Sequence, residues 1–159
     1  MPKLYMMIGL PAAGKSTWVA NQPIDWNKTV IASTDNYIER HAQSQKKTYN
    51  DVFQDTIGLA TDDMNASIKD AVENGLDIIW DQTNTGSKAR MFKLKAIPDN
   101  YEKIALVFLP PDEEEHNRRL ANRPGKTIPP HILDSMRNSF QMPTEAEGFD
   151  EIRVREDNR

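Results

Sequence analysis

The chain has 159 residues and a formal net charge of −4, with 38% hydrophobic and 28% charged residues, which suits one compact domain with a modest interior. That balance excludes a bulk-basic protein that coats nucleic acid, although not a local basic groove. The absence of cysteine excludes disulfides, cysteine-ligated zinc, iron–sulfur clusters and thiol catalysis.

No apolar stretch approaches the roughly 18–20 residues of a membrane span. The first apolar run, LYMMI at 4–8, leads into a Gly-Lys-Ser turn with no cleavage site behind it. It reads as a buried central strand and not as a signal peptide, and the expected location is the cytoplasm. A helix follows at 15–20. TVIA at 29–32 is a second strand, ending in the polar Ser33-Thr34-Asp35. Phe53, Ile57, Ala60, Met64, Ile68, Ala71 and Val72 step by three and four, which predicts a helix over 51–74 closed by Gly75, with Gly58 as the point where a break could fall. A third strand at 78–80 terminates in Asp81. Ser87 is the candidate N-cap of a helix through about residue 96, stopped by Pro98. KIALVFL at 103–109 is the fourth strand, stopped by Pro110 and Pro111. A charged helix over 112–121, a proline-rich loop over 122–130, a helix over 131–140 and a short strand over 151–154 complete the chain. Strands alternating with helices imply an α/β protein of three layers, α/β/α, around a mostly parallel sheet.

Gly9-Leu10-Pro11-Ala12-Ala13-Gly14-Lys15-Ser16-Thr17 fits G-x-x-x-x-G-K-[ST], a P-loop pattern that arises by chance in about one chain in 200 at average residue usage. The chemistry needs these residue types. Main-chain amides must face an anion at close range, so glycine stands where a Cβ would intrude. Gly9, Ala12, Ala13, Gly14, Lys15, Ser16 and Thr17 are therefore the expected ATP-binding residues. Lys15 is expected on the β- and γ-phosphates, and the Ser16 hydroxyl on Mg²⁺. The loop stands between a strand and a helix, as it must. The fold expected is that of a P-loop NTPase.

A GTPase would carry D-x-x-G after the second acidic strand and N-K-x-D as base reader. Asp81 is followed instead by Gln82-Thr83-Asn84, and Asn27-Lys28-Thr29-Val30 lacks the aspartate. A small kinase with a helical lid over about 112–130 remains. Parallel sheets place ligands at the carboxyl ends of their strands, which gathers the loop at Gly9, Asp35 and Asp81. Asp35 is a candidate general base for an acceptor hydroxyl, or else the N-cap of a helix starting at Asn36. Asp81 is a candidate Mg²⁺ ligand, or a turn former. Arg119 and Arg123 are candidates for contacting phosphate oxygens, with Arg123 in the transition state. Arg118 and Arg119 also stand at i,i+4 spacing to Glu114 and Glu115, the pattern of a solvated salt-bridged helix.

Four segments together resemble the polynucleotide 5′-hydroxyl kinase family of bacteriophages, including stand-alone kinases of hydroxymethylated pyrimidines in DNA. They are GLPAAGKSTW at 9–18, Ser33-Thr34-Asp35-Asn36-Tyr37, Ile78 through Asn84, and Arg119 through Pro129. The resemblance implies ATP and Mg²⁺ as cosubstrate and cofactor, a DNA or RNA hydroxyl as acceptor, Asp35 as the base and Arg123 as the lid arginine. A phage-encoded chain would act in the host cytoplasm. Where the family follows Asp-Asp-Tyr with a basic residue that holds an acceptor phosphate, this chain has Ile38. For a nucleic-acid acceptor a basic wall is expected from Arg40, Lys46, Lys47, Lys88, Arg90, Lys93 and Lys95, with Tyr37, Tyr49 and Trp80 available to stack a base; the alternative is lysines that are only solvated on helix faces and a Trp80 that belongs to the core. A kinase of a free nucleoside, sugar or other metabolite is the alternative, and a non-catalytic nucleotide-binding module a second one.

Overall fold

The computed structural model describes residues 1–155. Five strands form one sheet in the order β2-β3-β1-β4-β5: β1 (Lys3–Ile8), β2 (Thr29–Ala32), β3 (Asp77–Asp81), β4 (Glu102–Phe108) and β5 (Glu151–Arg155). Every pairing is parallel. The apolar runs of the central strands follow from this, because a parallel sheet is covered on both faces. In β1, Leu4, Met6 and Ile8 pack into one core with Met64, Ile68, Leu94 and Trp80. Met7 turns to the other face with Ile79, Leu106, Phe108 and Trp18. Each such burial is worth roughly 1.5–3 kcal/mol. Three layers result.

The helices are α1 (Lys15–Ala20), α2 (Thr34–Gln45), α3 (Tyr49–Glu73), α4 (Ser87–Leu94), α5 (Glu113–Ala121) and α6 (Pro130–Asn138), with a 3-10 turn at Glu145–Glu147. Helix α3 runs through Gly58 without a break. Its remaining apolar stripe, including Val52, Ala60, Met64 and Ile68, is buried, and that packing outweighs the roughly 1 kcal/mol propensity cost of one glycine. Thr48 and Asp51 close a capping box at its start, two residues before the expected beginning. Helix α4 starts with Gly86 as its N-cap instead of Ser87. Helix α2 is capped by Ser33, whose hydroxyl accepts from the Asn36 amide at 3.4 Å. Asp35 is therefore inside the first turn and is not the cap.

The turn between β3 and α4 is pinned from several sides. Asn84 is buried at a positive φ of 49°, and its side-chain amide donates to the Met7 carbonyl on β1 at 2.7 Å. Arg90, 0% exposed, donates to the Asn84 carbonyl at 2.9 Å and pairs with Glu147 at 2.7 Å. Lys93 reaches the Gln82 and Asn84 side-chain oxygens at 2.8 and 2.5 Å. Burial pulls its ammonium down to about 8. Neither Arg90 nor Lys93 is available to a basic wall; both hold the segment that follows Asp81. Glu147→Gln would leave the Arg90 guanidinium buried with no counter-charge. That change should destabilise the fold by about 3 kcal/mol, read as a lowered urea midpoint at unchanged slope. A loss below about 0.5 kcal/mol would contradict this role for the pair.

Candidate active site

The carboxyl ends of β1, β2 and β3 open into a cleft of about 530 Å³. It is lined by the loop after β1, by Asp35, Tyr49, Phe53 and Asp81, and by Arg119, Arg123 and Lys126. The expected phosphate-binding loop thus meets both expected acids and both expected arginines around one space.

The loop itself is held by its carbonyls. The Gly9 amide donates to the Thr83 carbonyl at 2.9 Å, which ties the loop to the pinned turn after β3. Lys15 folds back, and its ammonium donates to the Gly9 carbonyl at 2.9 Å and to the Gln82 carbonyl at 3.4 Å. The Ala12 carbonyl accepts from Arg119 at 3.3 Å. Gly14 takes φ 98° as the N-cap of α1, with no side chain capping that helix; an L side chain would be strained there. Among the described residues, no protein group accepts from the backbone amides of Ala12 through Ser16. Four of these residues, Ala12, Gly14, Lys15 and Ser16, line the cleft.

Electrostatics in the cleft follow burial. Desolvation is the largest influence on Lys15 and lowers its pKa, while the charges of Asp81 and Asp35 oppose this. Desolvation likewise raises Asp81, and Lys15 pulls the other way. An anion beside Lys15 would offset the ammonium's desolvation by charge pairing. Arg123 lines the same cleft, and its Nη1 is buried with no hydrogen-bond partner. An unpaired guanidinium nitrogen in such a place costs free energy unless an acceptor arrives. These bare donors fit a polyphosphate. Ser16 and Asp81 line the cleft and offer oxygen donors of the kind that a hard cation takes. Among the described residues, no group of three or more His, Asp or Glu is placed to hold a metal ion.

Asp35 is half exposed. Its Oδ1 accepts from the Tyr49 hydroxyl at 2.6 Å, and Lys126 stands 3.7 Å from Oδ2. Burial, followed by the Asp35 contact, pushes the Tyr49 phenol well above its ordinary value, so it remains a donor. Lys126 also pairs with Glu39 at 2.7 Å and lies over the Tyr49 ring at 4.6 Å. The segment that carries Arg123 and Lys126 is seated on the start of α3. Asn50 accepts no slack there: its amide donates to the Gly125 carbonyl at 2.9 Å, and its side chain donates to Thr127 Oγ1 at 2.8 Å. A Cβ on Gly125 would come within 2.6 Å of the Thr48 Cβ, so only glycine allows this approach.

Helix α5 differs in one detail from its expected pairing. Arg118 bonds Glu115 at 2.6 Å, three residues back, and not Glu114. Glu115 also accepts from Arg119 at 3.0 Å, and the two hydrogen bonds pull its carboxyl down to about 2. Arg118 is exposed and does not line the cleft. Tyr49 enters the site as a partner of Asp35. Trp80 is buried in the core. Glu39 and Lys126 had no assigned role in the sequence reading. Glu39 stands one turn after Asp35, and Lys126 three residues after Arg123. His116 and Arg137 were also missed; each is remote in sequence from what it touches.

No helix among the described residues is long and apolar enough to cross a membrane. In solved structures the fold recurs in a chain of the Pnkp1/Rnl/Hen1 RNA repair complex, at 21% identity and a TM-score of 0.65. That match covers 87% of this chain and 43% of the other, so this chain spans under half its length. It recurs in a candidate kinase of Chloroflexus aurantiacus at 17% identity and a TM-score of 0.66, covering 98% of this chain and 88% of that one. It recurs again in a structure from the PezAT toxin–antitoxin system of Streptococcus pneumoniae at 16% identity and a TM-score of 0.69, covering 98% and 67%. These likenesses show the fold, an all-parallel α/β sheet of the P-loop NTPase kind. Residues 4–143 match the AAA_33 family, described as an AAA domain, and the chain belongs to that family.

Proposed function

We propose that the protein is an ATP-dependent phosphotransferase that uses Mg²⁺ and acts on an alcohol hydroxyl carried by nucleic acid. The observation that carries this reading is the meeting, in one cleft, of the bare amides of Ala12, Gly14, Lys15 and Ser16, the orphaned Arg123 Nη1 and the Asp35 carboxylate. A non-catalytic nucleotide binder has no use for the last two.

The residues divide the work as follows. The amides of Ala12 to Ser16, with Gly9 and Gly14 shaping the loop, bind the phosphates, and Thr17 extends the same rim. Lys15 leaves its carbonyl partners for the β- and γ-oxygens. Magnesium, when bound, neutralises those oxygens, and Ser16 and Asp81 would hold it. Asp35 takes the proton of the acceptor hydroxyl. As it does so, the hydroxyl oxygen bonds to the γ-phosphorus, and the bond from that phosphorus to the β,γ-bridging oxygen breaks to release ADP. Tyr49 holds the base's other oxygen and aims it. Arg123 meets the charge on the equatorial oxygens, with Arg119 supporting the loop beside it. The segment 112–130 acts as a lid that excludes water, clasped to α3 by Asn50.

The aromatic ledge of Tyr49 and Phe53, 5.8 Å apart, suits the flat face of a base or sugar beside Asp35. Exposed Arg40, Lys46 and Lys47 remain for a phosphate backbone. One observation favours the second reading, a small uncharged acceptor. Lys126, which stands beside Asp35 in the cleft, is already shared by Asp35 and Glu39, and Ile38 is fully buried. No acceptor phosphate is needed next to the hydroxyl. Transfer of label from γ-labelled ATP to a panel separates the two: 5′-hydroxyl oligonucleotides, hydroxymethyluracil-containing DNA and free nucleosides. Label in either nucleic acid supports the first reading, label in nucleosides alone the second, and label in none defeats the first.

Asp35→Asn should leave ATP affinity within a few-fold and cut turnover by about 10²–10⁴; unchanged turnover would reduce Asp35 to a helix residue. Arg123→Ala should lower kcat and kcat/KM for ATP together, because its guanidinium serves the transition state. A fall in Tm with unchanged kcat would mean that the arginine only packs the segment.

A further inference from the structure

His116 stands on α5 and is 1% exposed, yet both of its ring nitrogens are engaged with groups distant in sequence. Nδ1 lies 3.0 Å from Nη2 of Arg137 on α6. Nε2 lies 2.8 Å from the carbonyl oxygen of Pro11 in the phosphate-binding loop. A guanidinium donates and never accepts, so Nδ1 carries the lone pair. A carbonyl accepts and never donates, so Nε2 carries the hydrogen. The two neighbours therefore select one tautomer of the neutral ring. Arg137 is itself aimed by Asn117 Oδ1 at 3.2 Å, with Glu113 and Asp134 each 3.9 Å away.

His116 and Arg119 are three residues apart and share a face of α5. They hold consecutive carbonyls of the loop, Pro11 and Ala12. In a trans peptide the C=O and the next N–H point in opposite directions. Drawing those two carbonyls toward α5 turns the amides of Ala12 and Ala13 away from it. Both amides are among the bare donors. Ala12 also sits at φ 63°, a conformation that a residue with a Cβ adopts at a cost. A loop held this way needs a restraint from outside itself.

We propose that His116 is a positioning residue for the phosphate-binding loop and that Arg137 sets it by selecting its tautomer, so that α6 is coupled to nucleotide binding. This rests on the nucleotide site proposed above. The test is calorimetric binding of Mg–ADP to the full chain as wild type, His116→Phe, His116→Gln and Arg137→Met, with thermal unfolding of each without nucleotide. Glutamine offers an amide N–H to Pro11 and an oxygen to Arg137, so His116→Gln should bind within about twofold of wild type. His116→Phe fills the space but offers neither, and should bind about tenfold more weakly, the scale of one lost hydrogen bond. Arg137→Met, at a partly exposed position, should weaken binding several-fold and keeps the test decisive if His116→Phe does not fold. Folded Phe or Met variants with wild-type affinity would overturn the proposal, whatever their Tm, because a residue that only packs would move Tm alone. Failure of the wild type to bind Mg–ADP would instead overturn the nucleotide site, and this coupling with it.

Discussion

The main-chain amides of Ala12 to Ser16 have no partner in the protein, and the rest of the molecule is arranged around leaving them so. Buried or half-buried N–H groups are almost always paired, and each one left bare costs free energy. The loop tolerates this because it opens on a cleft and because its carbonyls are held elsewhere. Gly9, Pro11 and Ala12 each give their oxygen to a side chain, from Lys15, His116 and Arg119 respectively. The donors are thereby exposed while the acceptors are consumed, and the loop presents positive character without relying on many charged residues. That is how a chain of net charge −4 builds an anion site.

Rigidity behind the loop comes from a second arrangement. The turn after β3 is locked by Asn84, Arg90 and Lys93, and the loop after β1 hangs from that turn through Thr83. The opposite wall is a clasp. Gly125 and Thr127 seat on the start of α3, which brings Lys126 and Arg123 over Asp35. A locked base and a clasped cover suit chemistry in which positioning and charge stabilisation outweigh covalent participation of the protein.

Much of this was legible in the sequence. The strands announced themselves because a parallel sheet demands continuous apolar runs, and β1, β2, β3 and β4 fall within two residues of the expected positions. The phosphate loop was legible because its residue types are dictated by a close backbone approach. Helix α2 was visible only as the alternative in which Asp35 capped a helix. It buries little beyond Ile38 and Ala42 among its apolar residues, too short a stripe to assert a period, and the capping belonged to Ser33. Topology gathered Asp35 and Asp81 at one edge of the sheet, whereas Arg119 and Arg123 were expected at the phosphates from arginine chemistry in a lid. His116, Arg137 and Glu39 were not anticipated, because their significance lies in contacts across 20 to 105 positions or in a shared lysine. Arg90 was misjudged for the same reason: a surface lysine or arginine and a buried structural one look alike until Glu147 is seen beside it.

The most direct test concerns the loop amides themselves. Nuclear magnetic resonance of the ¹⁵N-labelled chain, titrated with Mg–ADP, reads each amide separately. The account predicts that the Ala12, Ala13, Gly14, Lys15 and Ser16 resonances move together with saturation, and that this response is lost in Lys15→Ala. Shifts confined to other regions, with these five amides unmoved at saturating nucleotide, would contradict it.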